Sequence, residues 1–296
     1  MSITSFIEYL SLERNYSKHT INAYQKDIEE FCGFCKEEFQ ISNIDKVDYN
    51  LIRNWIVALV NNGITNRSIN RKIASLKAYY KFLLKINVIS VNPLSKHKAL
   101  KTSKKIEIPF SELEMEQLLS QIPFPDDFEG SRDKLIIELL YTTGIRRIEL
   151  VNLQLGDLDF SQKSLKVLGK RNKERILPLL ESTMLLFDEY LEKRSVLKKE
   201  KSELHVFLSK KGVKIYETLV YRVVNYYFNL VSSKTKRSPH ILRHTFATHL
   251  LNKGADLNAV KELLGHASLS STQVYTHNSI AELKKVHLLS HPRNKE

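Results

Sequence analysis

Residues 238–277 read SPHILRHTFATHLLNKGADLNAVKELLGHASLSSTQVYTH, and no other stretch carries as much structural punctuation. Ser238 is a natural N-cap and Pro239 suits the first helical position, so a helix is expected over 239–252. His240 then falls in the first turn with Arg243 three residues on, so both project from one face beside the positive end of the helix dipole. That is an arrangement suited to a phosphate. A second helix is expected over 257–264, closed by Gly265 as a left-handed cap that presents His266 at a turn. Tyr275 follows in a short segment opening at Ser270 or Ser271. Taken alone, each of these is more often bland: a capped helix with solvated side chains, a surface histidine, a half-buried tyrosine.

Working outward, the second half of the chain reads as mixed but mainly helical. Ser111-Glu112-Leu113-Glu114 is a capping box that opens a helix. Ser164–Leu168 and Ile176–Leu179 read as two strands of a hairpin joined by Gly169-Lys170-Arg171-Asn172-Lys173, and Val206–Ser209 as a third strand. Helices are expected near 182–194 and 218–231 as well. The first half, from Ser2 to about Pro93, reads as helices only: 17–39, a second from an Asp48 cap to Gly63, and 66–86. Between the halves, Ser95 to Lys105 (SKHKALKTSKK) is polar, basic and without apolar periodicity. The expected organisation is therefore a helical bundle over 1–94, a basic linker over 95–107 and a mostly helical domain with a small antiparallel sheet over 108–296, mainly α (α+β) in class.

The helix over 66–86 is two-sided. At about 100° per residue, Arg67, Arg71, Lys81 and Lys85 fall within roughly 40° of one direction, with Ala74 and Ala78 between them. Ile69, Ile73, Leu76, Tyr80 and Leu83 cluster opposite and form the core face. A solvated lysine face usually carries interspersed acids, and this helix places none there. Contact with nucleic-acid phosphates is the favoured reading of those four side chains.

Composition agrees. Lysine and arginine outnumber aspartate and glutamate by 46 to 33, a net charge of +13, which favours a polyanionic partner. A hydrophobic fraction of 42% over 296 residues supports two domains with their own cores and argues against disorder. No run of eighteen apolar residues is present, and the N-terminus lacks the basic region of a signal peptide, so neither membrane nor export is expected. Cys32 and Cys35 form a C-x-x-C without a second pair for zinc, and their helical spacing with Ile28 and Phe31 places them in or beside a helix core. Reduced thiols fit the cytoplasm.

Tyr141-Thr142-Thr143-Gly144-Ile145-Arg146, His240-Ile241-Leu242-Arg243, Leu263-Leu264-Gly265-His266 and Tyr275-Thr276-His277, in that order and spacing, resemble the tyrosine recombinases. The resemblance is closest to the Xer group, which resolves bacterial chromosome dimers. It extends into the first half through Ser17–Tyr24 and Ser68–Lys72, and so covers nearly the whole chain. It implies a SAM-like core-binding domain followed by a catalytic domain. Tyr275 would be the nucleophile that forms a 3′-phosphotyrosine, Arg146 and Arg243 would grip the scissile phosphate, and Lys170 would protonate the leaving oxygen. His240 would act as acid or base and His266 would hydrogen-bond the phosphate, with Glu149 orienting the site. Arg147 follows Arg146, and only the spacing after Gly144 selects the first. Arg171 stands where the family's hairpin carries a second glycine, which puts the turn around Lys170 in question. Neither metal nor ATP would be required.

The implied partners are a double-stranded DNA recombination site, a homo- or hetero-tetramer with a second recombinase, and a DNA translocase. Chromosome-dimer resolution is the expected task. Integration of a mobile element and a non-catalytic DNA-binding relative are the alternatives. A zinc hydrolase built on His240, His244 and His249 is disfavoured because no nearby glutamate completes its motif, and a type IB topoisomerase by the Xer-like first half.

Overall fold

The computed structural model describes residues 2–103, 107–169, 174–197, 204–234, 236–265 and 277–294, which divide into two compact units, 1–105 and 106–296.

Unit 1 is all helical: α1 (Ser2–Glu8), α2 (Lys18–Phe39), α3 (Tyr49–Asn61) and α4 (Asn66–Lys85). Local chemistry starts three of them. Ser17, Asp48 and Thr65 each take an extended backbone and accept from the amide three residues on, at Thr20, Leu51 and Ser68. The apolar stripes close over one core in which Phe31 meets Trp55 and Phe6 meets Tyr79. Cys35 is buried in that core and Cys32 half-buried beside it, with burial pushing the Cys35 thiol up to about 12. A thiol so raised is inert, as expected of a packing residue.

The basic face of α4 departs from the sequence expectation. Arg71 donates to both oxygens of Asp27 (2.5 and 2.8 Å), a buried carboxylate on α2 that also accepts from Ser75 (2.8 Å). Lys85 pairs with Glu13 at 3.0 Å. Acids do meet this face, but they come from other elements, where α4's own periodicity cannot show them. Arg67 and Lys81 stay exposed, with no ion pair among the described residues. The chain beyond α4 is tied back onto it: Asn70 brackets the amide and carbonyl of Leu100, and Asn66 donates to the Lys101 carbonyl.

In unit 2 the Ser111–Glu114 capping box forms at the start of α5 (Glu112–Glu116). The central helix is α6 (Phe128–Thr143), in which every residue from Leu135 to Thr143 is buried. A helix covered all round has no polar face to give it a period. Around it pack α7 (Arg147–Asn152), α8 (Glu181–Ser195), α9 (Glu217–Val231), α10 (Pro239–Asn252), α11 (Leu257–Leu264) and α12 (His277–Ser290). The sheet is antiparallel in the order β1 (Leu158–Asp159), β2 (Ser164–Leu168), β3 (Glu174–Pro178), with Leu168 opposite Glu174 at the hairpin end.

Residues 206–209 are not a strand of this sheet, contrary to expectation; β1 is its third strand. Val206, Phe207 and Leu208 are buried, but side chains and loop backbone satisfy them. Arg194 donates to the His205 and Val206 carbonyls, Tyr190 Oη accepts from the Leu208 amide, and the Val206 amide donates to Leu153. A short apolar run reads the same whether a ladder or a set of side chains takes its hydrogen bonds.

Candidate active site

Three separate pieces of unit 2 meet at the C-terminal end of α11. The first is the turn after α6. Gly144 ends that helix at φ 59°, and a Cβ there would lie 2.4 Å from Cδ1 of Phe246, so only glycine fits. The turn delivers Arg146 to the N-cap of α7, where its amide donates to Glu149 Oε2 (2.9 Å) and its Nη1 to Oε1 (2.8 Å). The neighbouring Arg147 pairs instead with Glu217 on α9. The second piece is α10, opened by Ser238 and Pro239 as expected, with Arg243 one turn in. The third is β3, from which Arg175 points inward.

These arginines take three successive carbonyls at the end of α11, the last of them that of its C-cap Gly265. Arg175 Nε donates to Leu263 O (2.8 Å), Arg243 Nη2 to Leu264 O, and Arg146 Nη2 to Gly265 O (3.1 Å). Arg243 Nη1 also donates to Gly144 O (2.5 Å). The last carbonyls of a helix lack intrahelical partners and form the negative end of its dipole, which suits cations. Glu149 lies between Arg146 and Arg175, and its two oxygens accept from Arg175 Nη1 (2.9 Å) and Nη2 (2.8 Å).

Electrostatics follow from this packing. Burial raises the Glu149 carboxyl, but the Arg175 guanidinium, then the Arg146 amide and guanidinium, outweigh it and hold the group down at about 2. Arg243 is lowered to about 9 by burial and by the charges of Arg146 and Arg175, and so stays cationic at neutral pH. The result is a cluster of fixed guanidinium groups with a surplus of positive charge, which can bind a phosphate through N–H donors not already engaged.

His240 lies in the first turn of α10 with its side chain 78% exposed, 3.6 Å from Glu107, whereas Arg243 is buried. The two were expected on one face; they share a turn but not an environment. Lys170, His266 and Tyr275 lie outside the described residues, as does Arg171, although Gly265 before His266 takes the left-handed cap (φ 61°, ψ 50°). Arg67, Arg71, Lys81 and Lys85 belong to unit 1. The zinc reading fails on geometry. His249 has both ring nitrogens engaged, with Tyr141 Oη and Phe110 O, and no cluster of three potential ligands occurs among the described residues. Arg175 was missed by the sequence reading. The available signal was the strand alternation, which turns positions 175 and 177 inward and so places a charged side chain on a core face.

Residues 110–282 match the phage integrase family and residues 3–87 the phage integrase N-terminal SAM-like domain. The tyrosine recombinase XerC of Anoxybacillus flavithermus is 40% identical over 295 residues, covering 99% of this chain and 98% of that protein. That of Staphylococcus haemolyticus is 40% identical over 294 residues, covering 99% and 97%. Among solved structures, the fold is shared with the XerH site-specific recombinase bound to a palindromic difH substrate (TM-score 0.72, 24% identity, 96% of this chain and 83% of that one). It is shared also with the Tn1549 transposon integrase in complex with transposon right-end DNA (TM-score 0.73, 21% identity, 96% and 99%). With both of its halves matched and its relatives aligned from end to end, the chain belongs to the phage integrase family and is a tyrosine site-specific recombinase.

Proposed function

We propose that this recombinase cleaves and rejoins DNA through a covalent 3′-phosphotyrosine at Tyr275. The observation that carries the reading is the convergence of Arg146 and Arg243 on the end of α11, directly ahead in sequence of His266 and Tyr275. Two planar guanidinium forks suit the non-bridging oxygens of one phosphate. Their charge stabilises the five-coordinate transition state more than the ground state, and losing one such group should cost about 10²–10³ in rate. The Tyr275 oxygen attacks phosphorus as a nucleophile, the 5′-oxygen leaves, and Lys170 supplies its proton. His240, exposed in the first turn of α10, exchanges a proton with the tyrosine, and His266 hydrogen-bonds the phosphate. The ester keeps the energy of the broken bond, so a 5′-hydroxyl from another strand can reverse the step without ATP or a metal. Of the four basic side chains on α4, Arg67 and Lys81 contact backbone phosphates of the same DNA, whereas Arg71 and Lys85 are held by Asp27 and Glu13.

The extent and level of identity to proteins named XerC favours chromosome-dimer resolution, and the reading includes action in the cytoplasm as a homo- or hetero-tetramer with a second recombinase, assisted by a DNA translocase. A nicked suicide substrate should trap wild-type protein covalently, and Tyr275→Phe should abolish the trapped species with DNA affinity unchanged. Trapping that persists in Tyr275→Phe would sink the nucleophile assignment. In cells, deletion of the gene should raise the fraction of unsegregated chromosomes. Normal segregation, with the protein's site mapped to the ends of a mobile element, would make integration the task instead.

A further inference from the structure

We propose that Arg175 is a positioning residue for strand cleavage, setting both the aim and the free charge of Arg146. The inference rests on the reading of Arg146 as a phosphate clamp. Arg175 is 4% exposed and engaged at each of its three guanidinium nitrogens: a two-pronged pair with Glu149 and a bond from Nε to Leu263 O. Its stem lies against Gly265, where an added Cβ would come within 3.1 Å of Cδ. One side chain from the sheet therefore braces the carboxylate that holds Arg146 and the helix end that precedes His266.

The charge arithmetic gives this brace a chemical consequence. Arg146, Arg175 and Arg243 with Glu149 sum to +3 − 1 = +2. Without Arg175 the sum is +1, and Glu149 has only Arg146 left as an ion-pair partner. A carboxylate free to take both prongs of Arg146 competes with the scissile phosphate for the same donors. With Arg175 in place, Glu149 is already paired, so it orients Arg146 through one prong and its amide without neutralising it. Buried ions need such partners in any case, because desolvation is costly for whichever is left alone.

The test uses a suicide substrate in two forms, one with the ordinary scissile phosphate and one with a methylphosphonate there, which removes the charge of a non-bridging oxygen. Arg175→Met should bind DNA like wild type and cleave the phosphate about 10–100-fold more slowly, as when a group that orients another is lost. On the methylphosphonate the deficit should shrink at least tenfold, as it should for Arg146→Ala. Arg175→Lys, which keeps the charge but loses the fork and the Leu263 bond, should show a smaller deficit of the same kind. If Arg175→Met does not fold, the two-substrate ratio is read on Arg175→Lys. An equal deficit on both substrates, with Arg146→Ala rescued, makes Arg175 a packing residue and overturns the proposal alone. If Arg146→Ala is not rescued either, the clamp reading falls and the proposal falls with it.

Discussion

Gly144 and Gly254 both sit at positive φ, 59° and 85°, but only the first is also hemmed in. Alanine at either position bears a conformational cost of ~1 kcal/mol. At Gly254 there is open space around the new Cβ, so the loss should stop near that value. At Gly144 the Cβ meets the Phe246 ring, and overpacking should add roughly 1–3 kcal/mol. Gly144 also supplies the carbonyl that holds Arg243, so Gly144→Ala should slow cleavage as well as destabilise the fold. Denaturant midpoints and single-turnover cleavage of the two variants check this. Equal losses at the two glycines would mean that the ring moves aside freely.

At the level of the helix, α4 shows that a basic stripe can have parts with different duties. Arg71 neutralises the buried Asp27, whereas Arg67 and Lys81 have no such partner among the described residues. Arg71→Ala should cost about 1–3 kcal/mol of stability by leaving a buried acceptor short of donors. Lys72, 3.6 Å from Asp27, moderates the loss. Arg67→Ala and Lys81→Ala should stay within about 0.5 kcal/mol of wild type, yet each should lower the salt slope of DNA binding by about one unit. Unchanged slopes would reduce the stripe to a solvated face. Wild-type stability in Arg71→Ala would show that the Asp27 pair contributes nothing.

On the scale of the whole chain, the two units differ in how they should meet acid. Unit 2 buries His249, His287 and His291 against Tyr141, Thr142 and Phe110, with Arg293, Glu138, Glu112 and Lys253 the charged groups around them. Burial lowers all three, His287 to about 4. Their folded values lie below the unfolded one, so the unfolded chain binds more protons between about pH 6.5 and 4, and stability is lost as pH falls through that window. His287 alone accounts for about 2 kcal/mol at pH 5, or roughly 4–8 °C in the melting of a unit this size. Unit 1 contains one lowered histidine, His97, and the chain's only tryptophan, Trp55. Between pH 7 and pH 5 the melting transition seen by helical ellipticity should therefore fall further than the one seen by Trp55 fluorescence. Parallel shifts in the two signals would contradict this account.

What could be read from the sequence was what is local. The caps at Asp48, Ser111 and Ser238 and the left-handed Gly265 appear where expected, as does the hairpin, with its second strand at Glu174–Pro178 rather than 176–179. In each case a side chain bonds a backbone group within a few residues, or the alternation of one strand reports its own buried face. His240 and Arg243 were legible for the same reason, since they lie in the first turns of a capped helix, whereas Arg146 was singled out by the resemblance of its motif to the tyrosine recombinases. Tertiary structure decided the rest. Only packing shows that α6 is enclosed on all sides, that residues 206–209 satisfy their backbone without a ladder, and that Arg71 faces Asp27. Only packing brings Arg175, Arg146 and Arg243 to three neighbouring carbonyls. The partners in these contacts are tens of residues or more apart in the chain, and hydrogen bonds and charges are set by distance in space, which sequence periodicity does not encode.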